Sequence, residues 1–212
     1  MPEGQKEIYY LTADALANAK NSPRLEAFQK KGYEVLLMTD PVDEFVMPSL
    51  ESYQDKPLKD ISKGEIDLES EEEKKAKEEE RKAAQEANSA LVNRLQELLK
   101  DQVSQVRLST RLTDSACCLV DAEWALSQQM LRMMRAMKQD VPEVKQILEI
   151  NPDHPLMAAL RTILDKDPQD SRLEDAARML YNSARMMENQ PVDNPREFAK
   201  MVARLLADGL KA

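Results

Sequence analysis

The apolar positions along this chain change period several times, and each change marks an element. Residues 7–12, EIYYLT, predict a strand, and ADALANAK after Thr12 predicts a short helix with Thr12 as its N-cap. Ser22-Pro23 reads as a second cap with proline in the first turn, opening a helix that Gly32 ends. YEVLLMT is short and continuously apolar, which predicts a strand buried on both faces. Strand, helix, helix, strand, helix is half of a small α/β layer with a parallel pair. Asp40-Pro41 starts the next helix, with Val42, Phe45 and Val46 on one side, Met47 beginning another and Pro48 imposing a kink or an end. A strand-like LKDIS comes next.

From residue 63 to 86 large apolar side chains almost vanish, Ile66 and Leu68 excepted, and EEEKKAKEEERKAAQEA alternates acid with base. Glu71 with Lys75, Glu73 with Lys77 and Glu78 with Lys82 are acid-before-base pairs at i, i+4, each worth about 0.2–0.5 kcal/mol to a solvated helix. Ser70 with Glu73 forms a capping-box pattern. An exposed helix is therefore expected, rather than a disordered acidic linker. It continues into a stripe of Leu91, Leu95, Leu98 and Leu99 that anchors it to the C-terminal half of the chain. A solvated spacer without chemistry is the expected role.

VSQVRLST, ACCLVD and KQILEIN are three further strands, enough with the residue 91–99 stripe to build a second small layer. Between the last two lies a methionine-loaded helix, capped by Asp121 and closed by Asp140, Val141 and Pro142. Leu126, Met130, Met133, Met134 and Met137 share one face, Trp124 and Leu131 widen it, and Arg132 and Arg135 rim it. Either a core needs this face or a partner does.

The chain finishes in two amphipathic helices. Ser171 with Glu174 is a capping box opening the first, with Leu173, Ala177, Leu180, Ala184 and Met187 on one face. Pro191 breaks the chain, Asn194-Pro195 with Glu197 restarts it, and Phe198, Val202, Leu205 and Gly209 line the last helix. A two-helix layer needs further cover, and a second copy supplying an identical pair would complete four helices.

Composition narrows the chemistry. With 42% hydrophobic, 33% charged and 4% aromatic residues in 212, the chain reads as soluble and helix-leaning, with room for one or two cores. No run approaches the roughly 18 apolar residues of a membrane span, and the start lacks a secretory pattern, so a cytoplasmic address is expected. A net charge of −9 argues against a general nucleic-acid binder. Cys117 and Cys118 are neighbours that a strand would point to opposite faces, so reduced packing thiols are expected. His154 is the only histidine, without metal-ligand or triad company, and reads as a local structural residue. Four glycines make a phosphate cradle hard to build. On residues alone this is a non-catalytic interaction module.

IYYLTAD, KKGYEVLLMTDPVDEF, VRLSTRLTDSACCLV, ILEINPDHPL and the terminal hairpin, in that order, resemble the ninety-kilodalton heat-shock chaperones of bacterial type over nearly the whole chain. The resemblance implies a C-terminal fragment: residues 1–62 as the end of a middle domain, 63–86 as a charged helical connector and 87–212 as a dimerisation domain, α+β overall. The start at EGQKEIYYLTAD falls within a domain, in keeping with a fragment. An ATP and magnesium site, and the arginine that assists it, would lie upstream, so no cofactor and no ATPase activity are expected here. The resemblance assigns client contact to Phe45, extended to Val46, and to the segment beginning near Trp124, comprising Leu126, Met130, Leu131, Met133, Met134 and Met137. Dimer contacts fall on Leu173, Ala177, Leu180, Ala184, Met187, Phe198, Val202 and Leu205. The expected partners are a second copy and unfolded or partly folded proteins, with no nucleic acid and no membrane. The ending DGLKA lacks the acidic peptide by which cytosolic eukaryotic members dock helical-repeat co-chaperones. Two other readings stand beside this: a structural dimerisation module with the methionine helix fully buried, and, weakest, a redox enzyme using the cysteine pair.

Overall fold

The computed structural model describes residues 1–2, 4–141 and 144–210. The fold is mixed α and β, built on two small sheets. The first opens with β1 (Ile8–Thr12), α1 (Leu16–Lys20), a single 3₁₀ turn (Pro23–Leu25), α2 (Glu26–Lys31) and β2 (Val35–Met38), which pairs parallel to β1 as expected. Ser22 caps the proline turn and Gly32 closes α2 at φ 68°. Thr12 caps nothing, because α1 begins four residues later with Ala15 at its N-cap. The crossover helices cover the sheet through Ala19, Leu25 and Phe28, which pack on Tyr9 and Leu11 of the central strand. β2 lies at the sheet edge with Leu36 exposed, so the expectation of two covered faces fails there.

α3 (Asp43–Val46) is short, and Pro48 tightens its end into a 3₁₀ turn. β3 (Ser52–Tyr53) and β4 (Lys56–Asp60) then form a hairpin through Gln54 and Asp55, both at positive φ. That paired left-handed turn is ordinarily signalled by Asn-Gly or Asp-Gly, and its absence hid the hairpin. β4 adds parallel to β1, giving the order β2-β1-β4-β3.

The charged connector departs from the expected single helix. Residues 65–69 have no regular secondary structure, with Ile66 and Leu68 buried in the first core. The Ser70–Glu73 capping box forms and starts α4 (Glu71–Ala76), which breaks at Lys77 before α5 (Glu78–Leu98). Of the expected i, i+4 pairs, Glu78–Lys82 forms at 2.6 Å, whereas Glu73 reaches Lys31 at 2.9 Å and Lys77 turns back to Glu69. The side chain of Glu71 lies outside the described residues. Lys31 also donates to the Leu68 carbonyl, so α4 is tied down onto α2.

The second sheet joins β5 (Gln105–Leu108), β6 (Cys117–Val120) and, between them, β7 (Ile147–Ile150), parallel to β5 and antiparallel to β6. α6 (Gln128–Ala136) precedes β7. α7 (Pro155–Lys166) and α8 (Ser171–Met187) come after it and cover one sheet face together with Leu91, Leu95 and Leu99 of the α5 end. His154 caps α7, its Nδ1 accepting from the Leu156 amide. Asp170, rather than Ser171, caps α8. The last helix is α9 (Pro195–Gly209), opened by Asn194, whose side chain accepts from Glu197 N–H. Cys117 faces the helices and donates to the Leu180 carbonyl, while Cys118 faces the other way, as strand alternation requires. Burial pushes the Cys117 thiol up to about 12 and Cys118 well above its usual value, so neither is a ready thiolate.

The two layers meet over buried charge. Arg111 is fully buried, its Nε 2.9 Å from Glu149 on central β7, and its remaining N–H groups donate to the carbonyls of Ile61 and Gly64. Arg107 and Ser109 complete the Glu149 carboxylate. Arg24 donates to the Leu119 carbonyl and pairs with Glu188 at 2.8 Å. Burial raises the Glu188 carboxyl, with Arg24 pulling it back down. Burial would also raise Glu26, but the amides of Thr113, Asp114 and Ser115 outweigh it and hold that carboxyl low.

Removing one partner from such a buried pair strands the other. Arg111→Met is expected to cost about 3–5 kcal/mol, read as a lower urea midpoint at unchanged slope.

Candidate functional site: an apolar cleft between the layers

The methionine helix starts later than its periodicity implied. Ser127 caps α6, its Oγ accepting from the Met130 amide. Asp121 is buried upstream, where Gln128 and Gln146 donate to it. Trp124 and Leu126 therefore sit on the loop before the helix. Trp124 is 80% exposed, Leu126 46% and Met137 58%. Met130, Met133 and Met134 are half-buried, and Leu131 alone of the set is fully buried, so it cannot belong to an accessible surface in this state. α6 thus turns one leucine inward and leaves its methionines around the rim. The helix ends at Ala136 with Lys138 at φ 57°; Pro142, the expected stop, lies outside the described residues.

Opposite this loop stands α3, with Phe45 54% exposed and Val46 also open to solvent. Between them is a cleft of about 200 Å³ lined by Phe45 and Pro48 on one side and Leu126 and Met130 on the other, with Tyr10, Glu44, Asp60 and Lys63 in its walls. The Ser127 hydroxyl donates to Glu44 Oε2, joining the cap of α6 directly to α3. Phe45 and the methionine segment are far apart in the chain and share this cleft. Val42, which periodicity placed on the Phe45 side but which the client-contact set left out, is exposed, as are Leu50 and Tyr53 further along the same segment, which were not singled out; the apolar residues around Pro48 were the available signal.

The terminal helices divide differently from expectation. Leu173, Ala177, Leu180 and Ala184 are buried in the chain's own core against the second sheet, so they are not free to meet a second copy. Met187, Phe198, Val202 and Leu205 are at least partly accessible. Among its described residues α9 buries Met201 alone and exposes Leu206, and Leu210 just past its end is exposed too, an i, i+4 pair that the sequence displayed and the expected set omitted. Among the described residues no group of three or more His, Cys, Asp or Glu side chains could hold a metal ion, and no helix is long and apolar enough to cross a membrane.

These features, an exposed apolar cleft at a layer junction and a terminal helix without apolar cover, coincide with membership of a chaperone family. The chain belongs to the Hsp90 family, whose profile, described as Hsp90 protein, matches residues 1–212. It is similar to the chaperone protein HtpG of Geobacter sulfurreducens, 48% identical over all of this chain and 33% of that protein. HtpG of Mycobacterium leprae is 45% identical over 98% of the chain and 32% of its own length, and HtpG of Alkalilimnicola ehrlichii 45% over 100% and 32%. The chain therefore spans about a third of the length of these relatives.

The burial pattern of α6 is checked by two substitutions. Leu131→Ala is expected to lose about 2–5 kcal/mol, and Met137→Ala to stay within about 0.5 kcal/mol, both from urea denaturation.

Proposed function

We propose that this chain supplies self-association and part of the client-binding surface of an ATP-dependent cytoplasmic chaperone. In this reading residues 1–62 end a middle domain, 63–86 connect, and 87–212 form the dimerisation domain. The observation that carries the client role is the cleft in which Phe45 faces Leu126 and Met130. Val46, Trp124, Met133, Met134 and Met137 extend that surface, and Leu131 supports it from beneath. Unbranched, polarizable methionines repack against varied apolar partners, which suits unfolded proteins without one shape. An alternative reading, a purely structural module with the methionine helix buried, sits poorly with Met130, Met133 and Met134 being only half-buried and Met137 58% exposed.

For self-association the support is α9. Its exposed Leu205 and Leu206, Leu210 just beyond it, and Met186 and Met187 at the end of α8 are apolar surface that the chain itself leaves uncovered. Phe198 and Val202 lie on the same helix, and a groove of about 610 Å³ between α8 and α9 gives a second copy somewhere to pack. A twofold arrangement would present two clefts to one extended client and raise its apparent affinity through avidity. In this proposal ATP and magnesium act elsewhere in the longer protein, and this chain binds neither.

Two measurements test it. Light scattering of the purified chain is expected to give a dimer at micromolar concentration and a monomer for Leu206→Asp, since that position faces solvent and tolerates charge when unpaired. Trp124→Ser combined with Met134→Ser is expected to remain folded and dimeric while losing most suppression of aggregation of a thermally unfolding client. A monomeric wild type ends the first half of the proposal, and undiminished protection ends the second.

A further inference from the structure

Residues 40–55 contain Asp40, Asp43, Glu44, Glu51 and Asp55 and no lysine or arginine. The same stretch exposes Val42, Phe45, Val46, Leu50 and Tyr53. Of this stretch Glu44, Phe45 and Pro48 line the cleft itself, and the other acidic and apolar residues lie outside its lining on the same segment. Deeper in, Glu44 is 3% exposed, gives one oxygen to Ser127, and leaves Oε1 buried with no hydrogen-bond partner among the described residues. Asp60 and Lys63 line the cleft from the end of β4 and just beyond it; Asp60 already accepts from Ser62, and Lys63 is outnumbered there by the two carboxylates. A buried carboxylate oxygen without a donor is costly unless an occupant supplies one.

We propose that the cleft takes an extended polypeptide segment in which a lysine or arginine adjoins a bulky apolar residue. The apolar side chain lies on Phe45, Leu126 and Met130, and the cation enters to donate to Glu44 Oε1 while the outer acids of residues 40–55 attract it. The space, about 200 Å³, admits one long side chain at a time. Charge complementarity then selects among apolar segments that the methionine rim alone would accept alike. This rests on the client-binding reading above and adds the class of client.

The test uses fluorescein-labelled twelve-residue peptides that share one apolar core and differ only in its flanking residue: lysine, glutamine or glutamate. Anisotropy titrations at low salt against the wild type are expected to rank lysine about tenfold tighter than glutamine, with glutamate weakest. Glu44→Gln, which keeps a side-chain oxygen for Ser127, is expected to erase most of the lysine advantage while glutamine-peptide affinity stays within about twofold. A second variant, Glu51→Gln with Asp55→Asn, lies on exposed positions and is expected to shrink the advantage and its salt dependence without touching the fold. Equal affinity of the wild type for all three peptides would overturn the charge selection while leaving an apolar client surface in place. Unaltered lysine preference in both variants would also overturn it. Binding of every peptide unaffected by Phe45→Ser would instead remove the client cleft itself.

Discussion

A carboxylate buried in the middle strand of a sheet has to be met by cations, and Glu149 sets that demand on the whole molecule. Arg107, Arg111 and Ser109 answer it from β5 and the chain just after it. Arg111 is itself fully buried, and its remaining N–H groups need acceptors, which the carbonyls of Ile61 and Gly64 provide. The end of β4 must consequently run alongside the second sheet, where Ser62 and Gly64 exchange backbone bonds with Asp121. Gly64 is at φ 54°, a left-handed conformation that glycine adopts without strain, whereas the Glu123 carboxylate that a Cβ would meet is the end of an exposed side chain free to move aside. Burying a pair like this adds little net stability beside an apolar alternative, yet it admits few relative placements of the layers.

That placement is what makes a cleft out of two separate apolar stretches. With residues 61–64 held against the second sheet, α3 stands across from the loop before α6, and the Glu44–Ser127 bond spans the gap. The width available to an occupant is set by backbone geometry far from the methionines. The methionine side chains then adjust within it, because an unbranched thioether has soft torsions where the arginine knot has none. The same frame extends to the C-terminal hairpin, since Arg24 in the first layer holds both a β6 carbonyl and Glu188 at the end of α8. The exposed face of α9 and the client cleft thus hang from one set of buried charges.

Much of this was legible from local pattern. Period-two and continuous apolar runs marked the strands, and Gly32, Pro48, the Ser70–Glu73 box and Asn194 marked helix ends, because capping needs residue types at fixed short offsets. Alternation correctly sent Cys117 and Cys118 to opposite sheet faces. Where a local signal had rivals it misled: Asp170 and Ser127 cap their helices in place of Ser171 and Asp121, as more than one candidate lies close to a plausible start. The Gln54–Asp55 turn carries no glycine, and the lone Lys77 break carries no proline, so neither announced itself.

By itself, then, the sequence determined most of the elements, the family and which side chains share a face. The tertiary structure decided what covers each face. Periodicity put Met130 on the main apolar face and Leu131 at its side, yet Leu131 is the one buried while Met130 lines a cleft. Leu173, Ala177, Leu180 and Ala184 form as good a stripe as any dimer seam and are spent on the chain's own sheet, leaving α9 uncovered. The charged knot was invisible for the same reason: Arg111 and Glu149 lie 38 residues apart, and Arg24 and Leu119 lie 95 apart. Amphipathic period is a property of one helix, whereas burial is a property of the pair, and the pairing partners here are set by chain reversals with no local code.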